Sequence, residues 1–155
     1  MDEEYVHIAY SPVSFNLEAM PYTNLSEYNF FQGEMKNLTP VYGVLPYELI
    51  NPLFTDYSEK NRFVWMPQEE SAYYLGDSET LNFPTGTILI KNFSYNGVVP
   101  SNERKNIETR LMIKKAEGWG FANYIWNDEQ TEAVYNMDGS TVEIEWIENS
   151  ITSTV

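Results

Sequence analysis

The chain has 155 residues, enough for one domain, and 43% of them are hydrophobic and 15% aromatic, enough for a packed core. Its net charge of −14 argues against a nucleic-acid phosphate backbone or an anionic membrane surface as partner. With no Cys and one His it can hold no disulfide, Cys-ligated zinc, thiol nucleophile, covalent c-type haem or histidine-rich metal site, and no cofactor is expected within it.

In chain order, residues 1–23 read as an N-terminal arm with one expected strand, Tyr5 to Tyr10. Met1-Asp2-Glu3-Glu4 has no basic or apolar segment of an export signal, so none is expected in this chain. Asn24-Leu25-Ser26-Glu27 has the spacing of a capping box, which predicts a short helix through Phe31, ended by Gly33. Pro40, Gly43, Pro46 and Pro52 then mark turns, with apolar residues between them. Period-two alternation and β-branched or aromatic content predict strands at Arg62–Met66, Ser71–Leu75, Thr87–Tyr95, Ile107–Lys115, Gly118–Trp126 and Thr141–Ile147. Asn127-Asp128-Glu129-Gln130 is a second capping-box signal and predicts a helix to about Tyr135. The expected fold is mainly β: a single-domain sandwich or open barrel of about 6–7 strands with two or three short helices over residues 24–148, followed by a tail, 149–155. No apolar run approaches the ~18 residues of a membrane span.

Charge is unevenly placed. From Lys60 to Lys115 eight bases meet six acids, a net of +2, whereas Ala116 to Val155 holds eight acids and no base. That acidic stretch is read as a solvated surface or as a docking face for a basic protein partner. Motifs for established chemistries are missing. His7 stands alone, and neither a Gly-x-Ser-x-Gly elbow nor a P-loop or Gly-x-Gly-x-x-Gly pattern occurs. Asn136 to Glu145 imitates part of a calcium loop, but its first ligand would be Val134, so Asp138-Gly139 is read as a hairpin turn. Three glycosylation sequons begin at Asn24, Asn37 and Asn92.

The informative feature is charge inside apolar strands. Period-two counting puts Lys91 on one face with Leu89 and Phe93, and puts Glu108 and Arg110 with Met112, opposite Ile107, Leu111 and Ile113. The preceding segment, Phe54 to Phe63, brings Asp56, Tyr57, Lys60 and Arg62. If these strands adjoin, the charges converge, and three readings stay open: a wet or ion-paired sheet face, a pocket for an anionic or hydroxylated ligand, and a catalytic carboxylate. Trp119, Tyr124, Trp126 and Trp146 with Tyr73 and Tyr74 form either core or an aromatic platform for sugars or partners.

Four blocks carry a resemblance: Leu25-Ser26-Glu27-Tyr28 with Phe31; Pro46 to Leu49 through Pro52 to Phe63; Phe83-Pro84-Thr85-Gly86 to Phe93; and Glu108-Thr109-Arg110-Leu111 with Gly118-Trp119 and Tyr124 to Ala133. Over roughly residues 24 to 147 they resemble a family of uncharacterised exported bacterial proteins, whose members often carry this module in front of a c-type cytochrome domain or beside quinoprotein sugar dehydrogenase modules. The resemblance implies an extracytoplasmic address, periplasmic or cell-surface, and a supporting role beside a redox partner. It implies no catalytic residues, and without a Cys-x-x-Cys-His site it carries no redox activity into this chain. Its matched positions include Asp56, Lys60, Arg62, Lys91, Glu108, Arg110, Trp126 and Gln130. With Tyr57 these are the candidate ligand-binding residues. The expected function is a non-catalytic module for interaction or assembly. The alternatives are a small-ligand or carbohydrate-binding domain and an enzyme acting on sugars through Asp56 and Glu108.

Overall fold

Alternating side chains build an antiparallel meander. The computed structural model describes residues 10–54, 57–139, 141–148 and 151–154. Asp56, His7 and the expected strand before Tyr10 lie outside them. The chain is mainly β, as its alternation predicts. Its strands are β1 (Val44–Pro46), β2 (Glu59–Trp65), β3 (Ile88–Val98), β4 (Glu103–Lys115), β5 (Gly118–Trp126), β6 (Ala133–Tyr135), β7 (Glu145–Glu148) and β8 (Ile151–Thr154). They form one sheet in the order β1-β2-β3-β4-β5-β6. β7 joins β3 at Val98, beyond the point where β2 begins opposite Ser94, and pairs with β8.

The sheet has two unlike faces. The inner face carries Phe63, Trp65, Ile88, Ile90, Leu111, Ile113, Ala122, Tyr124 and Trp126, all buried. Irregular chain covers it, contributing Val13, Met20, Leu25, Tyr28, Phe30, Phe31, Leu38 and Val41. The second layer is thus coil rather than sheet, and hydrogen bonds fix it. Tyr124 Oη donates to the Tyr22 carbonyl at 2.6 Å and lies 2.7 Å from Tyr28 Oη, which accepts from the Tyr22 amide at 3.0 Å. Burial pushes both phenols above the ordinary tyrosine range. A second cluster gathers Tyr95, Val98, Ile144 and Trp146.

Several expected elements change form. The first capping box forms, with Asn24 and Glu27 satisfying each other's backbone, but it opens only a 3-10 turn, Leu25–Tyr28, ended at left-handed Asn29. A second such turn is Met35–Asn37. No helix follows Asn127. Its side-chain oxygen accepts from the amides of Thr131 and Glu132, which holds a turn and delivers Ala133 to the edge of β5. Residues 71–75 keep only a bridge from Tyr73 to Asn82. Gly139 turns with φ +78°, yet β6 and β7 seek other partners, so no hairpin joins them. Backbone pairing reaches into the expected tail, since Ile151–Thr154 forms β8. Among the described residues no helix is long and apolar enough to cross a membrane.

Candidate functional site

On the outer face, register aligns residues from separate strands into rows that cross the sheet. One row runs Lys60, Phe93, Glu108, Ile125. The next runs Arg62, Lys91, Arg110, Asn123. A third runs Leu45, Val64, Leu89, Met112, Phe121. Neighbours in a row lie about 5 Å apart, so the middle row stacks three cations side by side, an arrangement that costs stability in a sheet.

Part of that charge is answered. Arg110 donates to Glu108 twice, Nε to Oε1 at 2.8 Å and Nη2 to Oε2 at 3.1 Å. The Phe93 ring lies between two cations, with its centroid 4.9 Å from Lys91 Nζ and 4.8 Å from Arg110 Cζ. Facing the ring quadrupole stabilises both. Lys60 donates to the Ser58 carbonyl at 3.1 Å.

Arg62 is different. It is only 7% exposed, and among the described residues no hydrogen bond or ion pair reaches its guanidinium. Tyr47 follows the end of β1, and its amide donates to the Arg62 carbonyl. Burial pushes the Tyr47 phenol up, while the Arg62 charge pulls it back. Lys91 feels the same crowding: burial first, then Arg62, Lys60 and Arg110, hold its amine below the ordinary lysine range. The Arg62 guanidinium nitrogens are not among the buried unpaired atoms, so this charge touches solvent at the sheet surface. Apolar side chains frame the cations, with Leu45 55%, Phe121 61% and Val134 44% exposed. Further along the face Lys114 Nζ lies 5.3 Å from the Trp119 ring centroid.

Five sequence candidates, Lys60, Arg62, Lys91, Glu108 and Arg110, therefore come together, on an open face rather than in a pocket. Tyr57 lies in the loop before β2 at φ +58°, its ring against Phe54. That loop exposes Leu49, Ile50, Leu53, Phe54 and Tyr57. Trp126 and Gln130 stand apart from the cluster, because they belong to a polar ladder on the inner side. Trp126 Nε1 donates to Thr109 Oγ1 at 2.9 Å, Thr109 to Asn92 Oδ1 at 2.6 Å, and Asn92 Nδ2 to Asn106 Oδ1 at 2.8 Å. Gln130 exchanges hydrogen bonds with the Asn106 backbone at 2.7 and 2.9 Å. Asn106 Nδ2 reaches the Lys36 carbonyl.

The remaining readings sort by place. The aromatic platform does not assemble, since Tyr124, Trp126 and Trp146 are buried while Tyr73 and Tyr74 project from a separate loop. Asn92 is wholly buried in the ladder, which closes that sequon. Glu108 is the one carboxylate in the three rows, and Asp56 lies outside the described residues, so no pair of facing carboxylates is on view. Among the described residues no three His, Cys, Asp or Glu side chains gather as metal ligands. Ile107, counted with Leu111 and Ile113, packs instead on the Tyr95 and Trp146 cluster. A bulge puts Glu108 opposite Phe93 but Asn106 opposite Ser94, leaving Ile107 as the extra residue. Sequence reading missed the apolar row and the ring's place between the cations. The signal for the ring was there, since Phe93 shares the parity of Lys91. Family models, curated proteins and solved structures yield no match to this chain.

Proposed function

We propose that this chain is a non-catalytic interaction module that binds a partner protein through the outer face of its sheet. The observation that carries the reading is the cation row beside the apolar row, with the Arg62 guanidinium unpaired and open to solvent. A sheet that needed this face only for stability would not set Arg62, Lys91 and Arg110 abreast. Exposed apolar residues rimmed by charge are the usual composition of a docking surface. Glu108 is committed to Arg110, which speaks against its use as a general acid or base. The carbohydrate reading loses support with the dispersed aromatics. To the proposal the family resemblance adds an extracytoplasmic address beside a redox partner, which fractionation of the source cells tests.

The direct test places a photo-crosslinking residue at Phe121 or Leu45, on the outer face, and at Tyr73 or Tyr74, on a separate loop. Adducts confined to the outer-face positions, in cells of the source organism, are the expected result. Adducts at Tyr73 or Tyr74 alone would sink the reading.

A further inference from the structure

Resting on that outer-face reading, we infer that the Arg62–Lys91–Arg110 row is a carboxylate-binding site, and that its occupant is an acidic amphipathic helix of a partner protein. Three observations converge. First, Arg62 carries a permanent charge, no ion pair is formed by it among the described residues, and its guanidinium nitrogens are not among the buried unpaired atoms, so they reach the surface where a ligand can meet them. A carboxylate takes a guanidinium in bidentate fashion, as Glu108 already does with Arg110 on the same face. Arg62 and Lys91, directly opposite each other, are left as the pair that an incoming carboxylate bridges.

Second, the apolar row runs parallel to the cation row, two residues along each strand, so the lines lie about 7 Å apart. Within a row the positions repeat at about 4.8 Å, the spacing of neighbouring strands. Side chains three or four apart on a helix repeat at about 5–6 Å, close to that spacing. A helix laid across the strands therefore offers one edge of carboxylates to Arg62, Lys91 and Arg110. Its adjacent edge of apolar side chains meets Val64, Leu89, Met112 and Phe121. Third, the local charge is opposite to that of the molecule. A face bearing this row on a chain of net charge −14 is a cationic island, and it selects for a carboxylate stripe at short range. The surrounding negative field disfavours long anionic polymers.

The test is an NMR titration of the ¹⁵N-labelled 155-residue chain with a blocked amphipathic peptide of about 15 residues, Glu along one edge and Leu along the next. Its partner probe is the same peptide with every Glu replaced by Gln. Shifts at the amides of 62, 91, 110 and the apolar row are expected, with affinity at least tenfold weaker for the Gln peptide. Lys91→Gln should lose that tenfold for the Glu peptide and leave the Gln peptide's affinity unchanged. It should also raise the melting temperature by about 1–3 °C, because a like charge leaves the row. A purely structural lysine would lower it. Arg62→Met, checked for folding in the same spectra, should behave likewise in binding. Equal affinity of the two peptides overturns the carboxylate site while leaving the outer face as the docking surface. Shifts elsewhere, or none at millimolar peptide, overturn both. Inorganic phosphate or acetate binding the row as tightly as the Glu peptide overturns the helix and leaves a small-anion site.

Discussion

The two faces of this sheet handle polar groups in opposite ways. On the inner face Asn92, Asn106 and Thr109 are at most 1% exposed, and their side chains pair with one another, with Trp126 and with the Lys36 carbonyl. At the margin of this ladder Asn61 Oδ1 and Ser94 Oγ find no partner. On the outer face Arg62 as a whole is 7% exposed, yet its guanidinium nitrogens touch solvent and meet no partner among the described residues, while Lys91 is pressed among cations. A buried polar group whose bonds are closed serves the fold. A charge that reaches solvent unpaired on a face crowded with like charges is open to a ligand. Burial alone does not separate the two cases; the bonding of each atom does.

The contrast can be broken most severely from the inside. Asn92→Ala leaves Asn106 Oδ1 without its donor and the Thr109 hydroxyl without its acceptor at once, and we expect a loss of about 2–4 kcal/mol in urea unfolding. A loss under half a kcal/mol would mean the ladder does not hold the sheet. Tyr124→Phe removes the hydroxyl shared by Tyr28 and the Tyr22 carbonyl, with an expected cost of about 1–2 kcal/mol.

The same phenols set a pH response. Their pKa values are raised in the fold, so the unfolded chain releases these protons first as pH climbs past about 10. Stability from these groups is fully present below that pH and is lost above it. Lys91 works in the other direction. Its pKa is depressed in the fold, so the unfolded chain binds more protons and stability from this group rises as pH approaches the ordinary lysine value. Two buried phenols outweigh one half-exposed amine, and the melting temperature should fall above about pH 10. The Tyr124→Phe variant should show a shallower fall, and an equal slope would refute the assignment.

Smaller effects sharpen the comparison from the outside. Lys91→Gln should stabilise by a few tenths of a kcal/mol, the reverse of the inner-face changes. Glu108→Gln breaks an ion pair whose Arg110 side chain is 54% exposed, so its cost should stay within about 1 kcal/mol. Its fuller effect should be on affinity, since it frees a third cation in the row for an acidic partner.

What the sequence made legible follows from local chemistry. Gly118–Trp126 alternates in part, and β5 has those bounds. The charges within β3 and β4 were visible as violations of an apolar pattern. What escaped was set by tertiary pairing. The bulge at Ile107 shifts the parity of β4 midway, and nothing in Asn106-Ile107-Glu108 announces it. Asn127 offers its side chain to a turn as readily as to a helix, and the edge of β5 decides. Ile151-Thr152-Ser153-Thr154 is short and polar, and becomes β8 only because β7 lies beside it. In the site, residue types were readable, but the alignment of Arg62 with Lys91 and Arg110 depends on register.

The ends of the sheet are short: three residues in β1, which closes on Pro46, three in β6 and four in β8. Edges of that length offer few backbone groups to an arriving strand, and Pro46 has no N–H to give. Addition of a strand to β1 itself is thereby blunted. The longer open edge is that of β5, whose residues 118–122 run on past β6, so an arriving strand would pair there rather than at the sheet's last strands.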